Sequence, residues 1–120
     1  MSELPPHIRN QLQRYQQLQE QLQAIILRKQ QWQARLSEIE NAIKELEKAS
    51  ENTPVYKIVG SIMVLSNKQD VLNELKERKE IAEASISTLD KQERLLRKQI
   101  GDLEKRIREA LSLRTGQQAG

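Results

Sequence analysis

The chain has 120 residues, a net charge of +3, charged residues at 31%, aromatic residues at 2% and no cysteine. The missing cysteines exclude a disulfide framework, a thiol nucleophile and a zinc–cysteine site, and bases interleaved with acids exclude an unbroken basic arm for nucleic acid. Three aromatic residues, Tyr15, Trp32 and Tyr56, amid abundant Gln, Glu, Lys, Arg and Leu suit long helices sharing a narrow apolar seam.

The opening MSELPPHIRNQ lacks the apolar core of a signal peptide. No stretch approaches the run of about 18 apolar residues that a spanning helix needs. A cytoplasmic protein with no membrane partner is therefore expected.

The first helix is predicted over residues 6–50. Pro6 suits a first helical turn, where the absent N–H would have no partner anyway. Asn52, Thr53 and Pro54 signal the break. Within the helix one heptad frame places Ile8, Tyr15, Leu22, Lys29, Leu36 and Ile43 at a, and Gln11, Leu18, Ile25, Trp32, Ile39 and Leu46 at d. Only Gln11 and Lys29 interrupt an apolar stripe of the coiled-coil type.

Residues 54–66 read differently. Val55–Val59 and Ile62–Leu65 are β-branched and apolar, and Gly60-Ser61 between them has the Gly-X form of a type II′ hairpin turn. That turn pairs Val59 with Ile62, Ile58 with Met63, Lys57 with Val64 and Tyr56 with Leu65. One face then carries Val55, Val59, Ile62 and Val64, with Lys57 alone polar. The other carries Tyr56, Ile58, Met63 and Leu65. A lone two-stranded hairpin is marginal in water, and one with two apolar faces and open edges invites pairing with other chains. Val55, Tyr56, Ile58, Val59, Gly60, Ile62, Met63, Val64 and Leu65 are thus the expected subunit-assembly residues.

The second helix is predicted over 67–113, with Ser66–Gln69 or Asn67–Asp70 as a capping pair, and Thr115-Gly116 as its stop. Residues 114–120 are expected to be a disordered tail. The heptad continues with Leu72, Lys79, Ile86, Glu93, Ile100, Ile107 and Arg114 at a, and Leu75, Ala82, Leu89, Leu96, Leu103 and Ala110 at d. Two helices of about 40 residues joined by a short element fold back antiparallel. The favoured register, which centres the fold-back beside Gly60, sets Leu46 against Leu72, Leu36 against Ala82, Trp32 against Ile86, Leu22 against Leu96, Tyr15 against Leu103 and Ile8 against Ala110. Lys29 and Glu93 then lie near each other across the seam and are expected to help fix the register, a role with good precedent for buried polar residues.

A single domain follows, mainly α: a long antiparallel two-helix coiled coil joined by one β-hairpin. The Gln-rich LPPHIRNQLQRYQQLQEQLQAI, the hairpin VYKIVGSIMV and the matching second helix together resemble the β-class subunits of the prefoldin family over nearly the whole chain. The resemblance implies a hexamer of two α and four β subunits, in which hairpins build a β-barrel platform and coiled coils hang from it. It implies a partner of the prefoldin α type together with further copies of this chain. It also implies ATP-independent capture of non-native polypeptides and their delivery to a group II chaperonin.

In that arrangement the chain termini form the free tip. The seam weakens there, at Gln11, Ala110 and Arg114, while apolar residues persist off it. Leu4, Ile8, Leu12, Tyr15, Leu111 and Leu113 are the expected client-binding residues, with Ile26 and Leu27 also off the seam farther in. Arg94, Arg97, Lys98, Lys105, Arg106, Arg108 and Arg114 read as a solvated face, or as a contact for an acidic surface such as a chaperonin rim.

No catalytic constellation is legible. His7, the only histidine, stands without a fixed acidic neighbour, and no GxGxxG or GxxxxGK[ST] loop occurs. No cofactor, metal or enzymatic activity is expected. Acidic residues are read as i,i+4 partners of bases, as at Glu74 with Arg78. The competing reading is a structural coiled-coil adaptor or tether for one defined partner, which needs no β-prone loop apolar on both faces.

Overall fold

The computed structural model describes the backbone of residues 4–119 and the side chains of 4–113. Its elements, in order, are helix α1 (Pro6–Lys48), strands β1 (Val55–Val59) and β2 (Ile62–Ser66), and helix α2 (Lys68–Ala119). The chain divides into two compact units, one of Met1–Arg28 with Leu89–Gly120, the other of Lys29–Thr88.

Helix α1 begins where its proline allows. Pro6 occupies the first turn, and the Pro5 carbonyl accepts the first amide hydrogen bonds, from Ile8 at 3.0 Å and Arg9 at 3.1 Å. Every a and d position of the heptad in α1 is buried or half-buried, including Gln11 and Lys29. The same holds for α2 from Leu72 to Ala110. The buried residues are Ile8, Leu18, Leu22, Leu72, Ala82, Leu89, Ile100 and Ile107, and no polar side chain joins them among the described residues. All eight are seam positions, so among the described residues the buried face is the one the heptad period marks.

In the first unit, Leu18, Leu22 and Ile100 form a cluster, flanked by Tyr15, Ile26, Leu96 and Leu103. This is the neighbourhood that the expected antiparallel register demands. Tyr15 adds a polar contact beside it: its hydroxyl donates to Glu104 Oε1 at 3.0 Å and accepts from Gln19 Nε2 at 3.0 Å. A half-buried phenol needs such partners to avoid a desolvation penalty. Ile26, expected off the seam, packs against the cluster instead. The seam is broad enough there for an adjoining helical position to reach it.

In the second unit α1 ends at Lys48, two residues before the expected boundary. The connecting turn is closed by Thr53 N–H donating to the Ser50 carbonyl and by a hydroxyl pair between Ser50 and Thr53 at 2.9 Å. Of the two expected caps for α2, Asn67 with Asp70 forms. Asp70 N–H donates to Asn67 Oδ1 at 2.9 Å, and Asn67 Nδ2 donates to Asp70 Oδ2 at 2.8 Å. Two groups thus satisfy each other reciprocally at a helix start, where amides lack intrahelical partners.

Lys68, the first residue of α2, closes the end of α1. Its ammonium donates to the Ala49 carbonyl at 2.8 Å and the Glu47 carbonyl at 3.3 Å, and lies 3.8 Å from Glu51 Oε1. A cation at a helix C-terminus meets orphan carbonyls and the negative end of the helix dipole. The Lys68 side chain is only 14% exposed, so little water competes. Lys68→Met should therefore lower the free energy of unfolding in urea by about 1–2 kcal/mol, whereas a midpoint unchanged from the natural chain would show that the clasp contributes nothing.

Helix α2 continues to Ala119, past residue 113, where the sequence reading stopped it and began a disordered tail. Thr115 and Gly116 lower helix propensity, glycine by roughly 1 kcal/mol, but both keep their amide donor and neither clashes with the preceding turn as proline does.

Candidate assembly and client surfaces

The hairpin forms in the expected register: Val59 opposite Ile62, Ile58 opposite Met63, Lys57 opposite Val64, Tyr56 opposite Leu65, with Val55–Ser66 added at the open end. Gly60 has φ of +61°, and no other residue type takes a positive φ among the described residues. A positive φ at the first central residue and a negative one at the second is the type II′ pattern, whose twist matches that of the flanking strands. Only two strands make up this sheet, so each has an unpaired edge within the chain.

The two hairpin faces are not equivalent. Tyr56, Ile58, Met63 and Leu65 are 56%, 75%, 68% and 65% exposed. On the other face Val59, Ile62 and Val64 are 48%, 60% and 39% exposed, and Val55, Lys57 and Ser66 are half-buried. The less exposed face also carries an ion pair that sequence reading missed. Lys57 Nζ lies 3.3 Å from Glu74 Oε1 on α2, so this face is tied to its own helix. The expected Glu74–Arg78 pairing is replaced by this contact, seventeen residues apart in sequence. Helical spacing reveals neighbours along one helix, not a lysine arriving from a strand. Among the described i,i+4 pairs are Glu93 with Arg97 at 2.9 Å and Lys79 with Glu83 at 4.0 Å.

The unit that holds both termini carries the expected client residues, and the structure sorts them into two sets. Leu12, Leu111 and Leu113 are exposed, Leu113 at 70%. Leu4 is half-buried. Ile8, in contrast, is 1% exposed, so the seam is closed at the position where a splayed tip was expected to present it. Tyr15 is half-buried and engaged with Glu104. Ile8 is an a position and Tyr15 the next, and a closed seam claims both. Between them, Gln11 Oε1 is buried without a hydrogen-bond partner among the described residues. Such a group costs about 1–3 kcal/mol relative to a satisfied or apolar one.

Sequence reading overlooked two exposed apolar residues on α2, Ile81 at 59% and Leu95 at 57%. Both fall at c of the heptad, and counting apolar residues at outer positions would have found them. In the first unit Leu95 borders a shallow groove of about 430 Å³ together with Ala24, Ile25, Leu96 and three glutamines. Leu27 is also outward-facing, at 56%. Of the basic residues on α2, Arg97 is held by Glu93, and the Arg114 side chain lies outside the described residues. Among the described residues no cluster of His, Asp or Glu could hold a metal, and no helix is long and apolar enough to cross a membrane.

This geometry agrees with comparison to known proteins. The family model described as "Prefoldin subunit" matches residues 9–113. The prefoldin subunit beta of Archaeoglobus fulgidus is 44% identical over 116 residues, covering 97% of this chain and all of that protein. That of Caldivirga maquilingensis is 39% identical over 117 residues, covering 98% and 97% of the two chains. The crystal structure of the prefoldin beta subunit from Thermococcus strain KS-1 superposes with a TM-score of 0.86 at 33% identity, over 92% of this chain and 97% of that one. The beta2 subunit of the same strain shares the fold, with a TM-score of 0.68 over 74% of this chain and 95% of that one. Helix, single hairpin and helix, matched over nearly their full length, place this chain in the prefoldin family, among its beta subunits.

Proposed function

We propose that this chain is a subunit of an ATP-independent holdase, which captures non-native polypeptides and passes them to a group II chaperonin in the cytoplasm. Prefoldin is a family of chaperone subunits that form hetero-oligomers with one another. The partners are an α-type prefoldin subunit and further copies of this chain, in a hexamer of two α and four β subunits whose hairpins close into a β-barrel platform.

The observation that carries the reading is the open hairpin face. Four large apolar side chains stand more than half exposed on a two-stranded sheet with free edges. Burying an isoleucine, leucine or methionine fully contributes roughly 1.5–3 kcal/mol, so covering these four together offers a substantial driving force. A tether for one folded partner would have no use for it. Client capture draws on Leu12, Leu111 and Leu113. Several such weak contacts from separate subunits combine through effective concentration.

The complex, assembled with an α-type subunit and given no ATP, should suppress aggregation of several unrelated unfolded proteins. Deleting residues 1–12 and 108–120 should leave the subunit mass of the complex otherwise intact while raising the amount of complex needed by at least about threefold, as lost valency predicts. Undiminished suppression by the truncated complex would move the client surface elsewhere, and binding to a single folded partner alone would favour the tether.

A further inference from the structure

The hairpin poses a problem of choice. Both faces are mainly apolar, so composition does not determine which one turns toward neighbouring subunits. The ten strand residues, VYKIV and IMVLS, contain a single charge, on Lys57. That charge sits on the face with Val55, Val59, Ile62 and Val64, and its partner Glu74 comes from α2 of the same chain at 3.3 Å. The two side chains are 40% and 42% exposed, so water still reaches both.

We propose that the Lys57–Glu74 pair sets the facing of the hairpin in the assembly. Tyr56, Ile58, Met63 and Leu65 turn inward, against the hairpin of a second prefoldin-type chain, and the Lys57 face stays on the side of its own helix. The argument is one of desolvation. Turning the Lys57 face into a dry interface would either strip water from both members of the pair or pull Lys57 away from Glu74 and bury it alone, and both are unfavourable. Turning the opposite face inward buries only apolar atoms and the tyrosine ring, and leaves the pair in its half-wet site. The pair contributes little to the isolated chain, as exposed ion pairs do. Its effect is on the alternative arrangement, which it penalises, in the way that an inward-pointing charge on a sheet blocks unwanted packing. The neighbouring Lys68 clasp supports this by holding the chain at the junction that leads into the hairpin. The inference rests on the hairpin-assembly reading above and adds the face and the residue pair that selects it.

The absence of cysteine makes the test direct. Met63→Cys and Val64→Cys each introduce one thiol, at adjacent residues on opposite faces. Each variant is assembled with the α-type subunit, the complex is checked by native mass spectrometry, and maleimide labelling is timed for the complex and for the free chain. The thiol in place of Met63 should be slowed on assembly by at least about tenfold, as for a site that reacts only on opening, and that in place of Val64 by less than about twofold. Adding Lys57→Met should narrow the contrast by protecting the Val64 position and exposing the Met63 position. Lys57→Arg, or the exchange Lys57→Glu with Glu74→Lys, should keep it. Equal protection at the two positions in the natural charge background would overturn the proposal, as would a contrast indifferent to Lys57→Met. If either cysteine blocks assembly, Ile58→Cys and Val59→Cys make the same comparison on β1. A natural chain that forms no complex at all would refute the assembly reading itself, a result recognisable before any labelling.

Discussion

Gly60→Val should abolish assembly with prefoldin-type partners while leaving the helical circular dichroism nearly unchanged. Gly60 sits at φ of +61°, and a Cβ placed there meets no atom within 4 Å. The penalty is therefore in the backbone, not in a clash that neighbours could relieve. A left-handed φ costs an ordinary L-residue roughly 1–2 kcal/mol, and a β-branched one is a genuine outlier there. A two-stranded hairpin is only marginally stable, so this is enough to lose the turn, and with it the register that gathers Tyr56, Ile58, Met63 and Leu65 on one face. The helices, of 43 and 52 residues, dominate the spectrum and hold their own seam. Gly60→Asn, which tolerates positive φ better, should retain part of the assembly. Native mass spectrometry that finds full-size complexes with Gly60→Val would show that the turn does not control association.

How much of this was legible before any coordinates follows from what a sequence period encodes. The heptad states which face of a helix is buried, and every seam position from Ile8 to Ala110 is buried or half-buried as it requires. The hairpin was legible because a Gly-X turn fixes strand register within four residues, and the observed pairing agrees at each step. Long-range polar partners were not legible. Lys57 with Glu74, Lys68 with the carbonyls of Glu47 and Ala49, and Tyr15 with Glu104 join residues that no local spacing relates. Those contacts tie the hairpin to α2 and the start of α2 to the end of α1. At the tip Ile8 carries two signals at once. The pattern marks Ile8 both as apolar near a terminus and as an a position of the seam, and its 1% exposure follows the second. Ile8 is consequently a closed seam residue, whereas Leu12, Leu111 and Leu113 are exposed.

The register itself can be measured. Leu18 and Ile100 belong to one buried cluster, at 2% and 6% exposure. Truncating either to alanine should destabilise the chain by about 2–5 kcal/mol, the usual range for a buried aliphatic side chain. The two losses should not add. Residues in contact share a cavity, so the double variant should fall short of the sum by about 0.5 kcal/mol or more. Ile107, buried at 8%, lies one heptad farther along α2, about 10 Å at 1.5 Å per residue. Leu18→Ala combined with Ile107→Ala should therefore be additive within about 0.5 kcal/mol. A seam shifted by seven residues would exchange these outcomes, coupling Leu18 to Ile107 and freeing it from Ile100. The apolar pattern repeats every seven residues and tolerates such a slip. The hairpin does not, because Lys68 must meet the end of α1 while Gly60 closes the turn, and a one-heptad slip would leave one of those two requirements unmet.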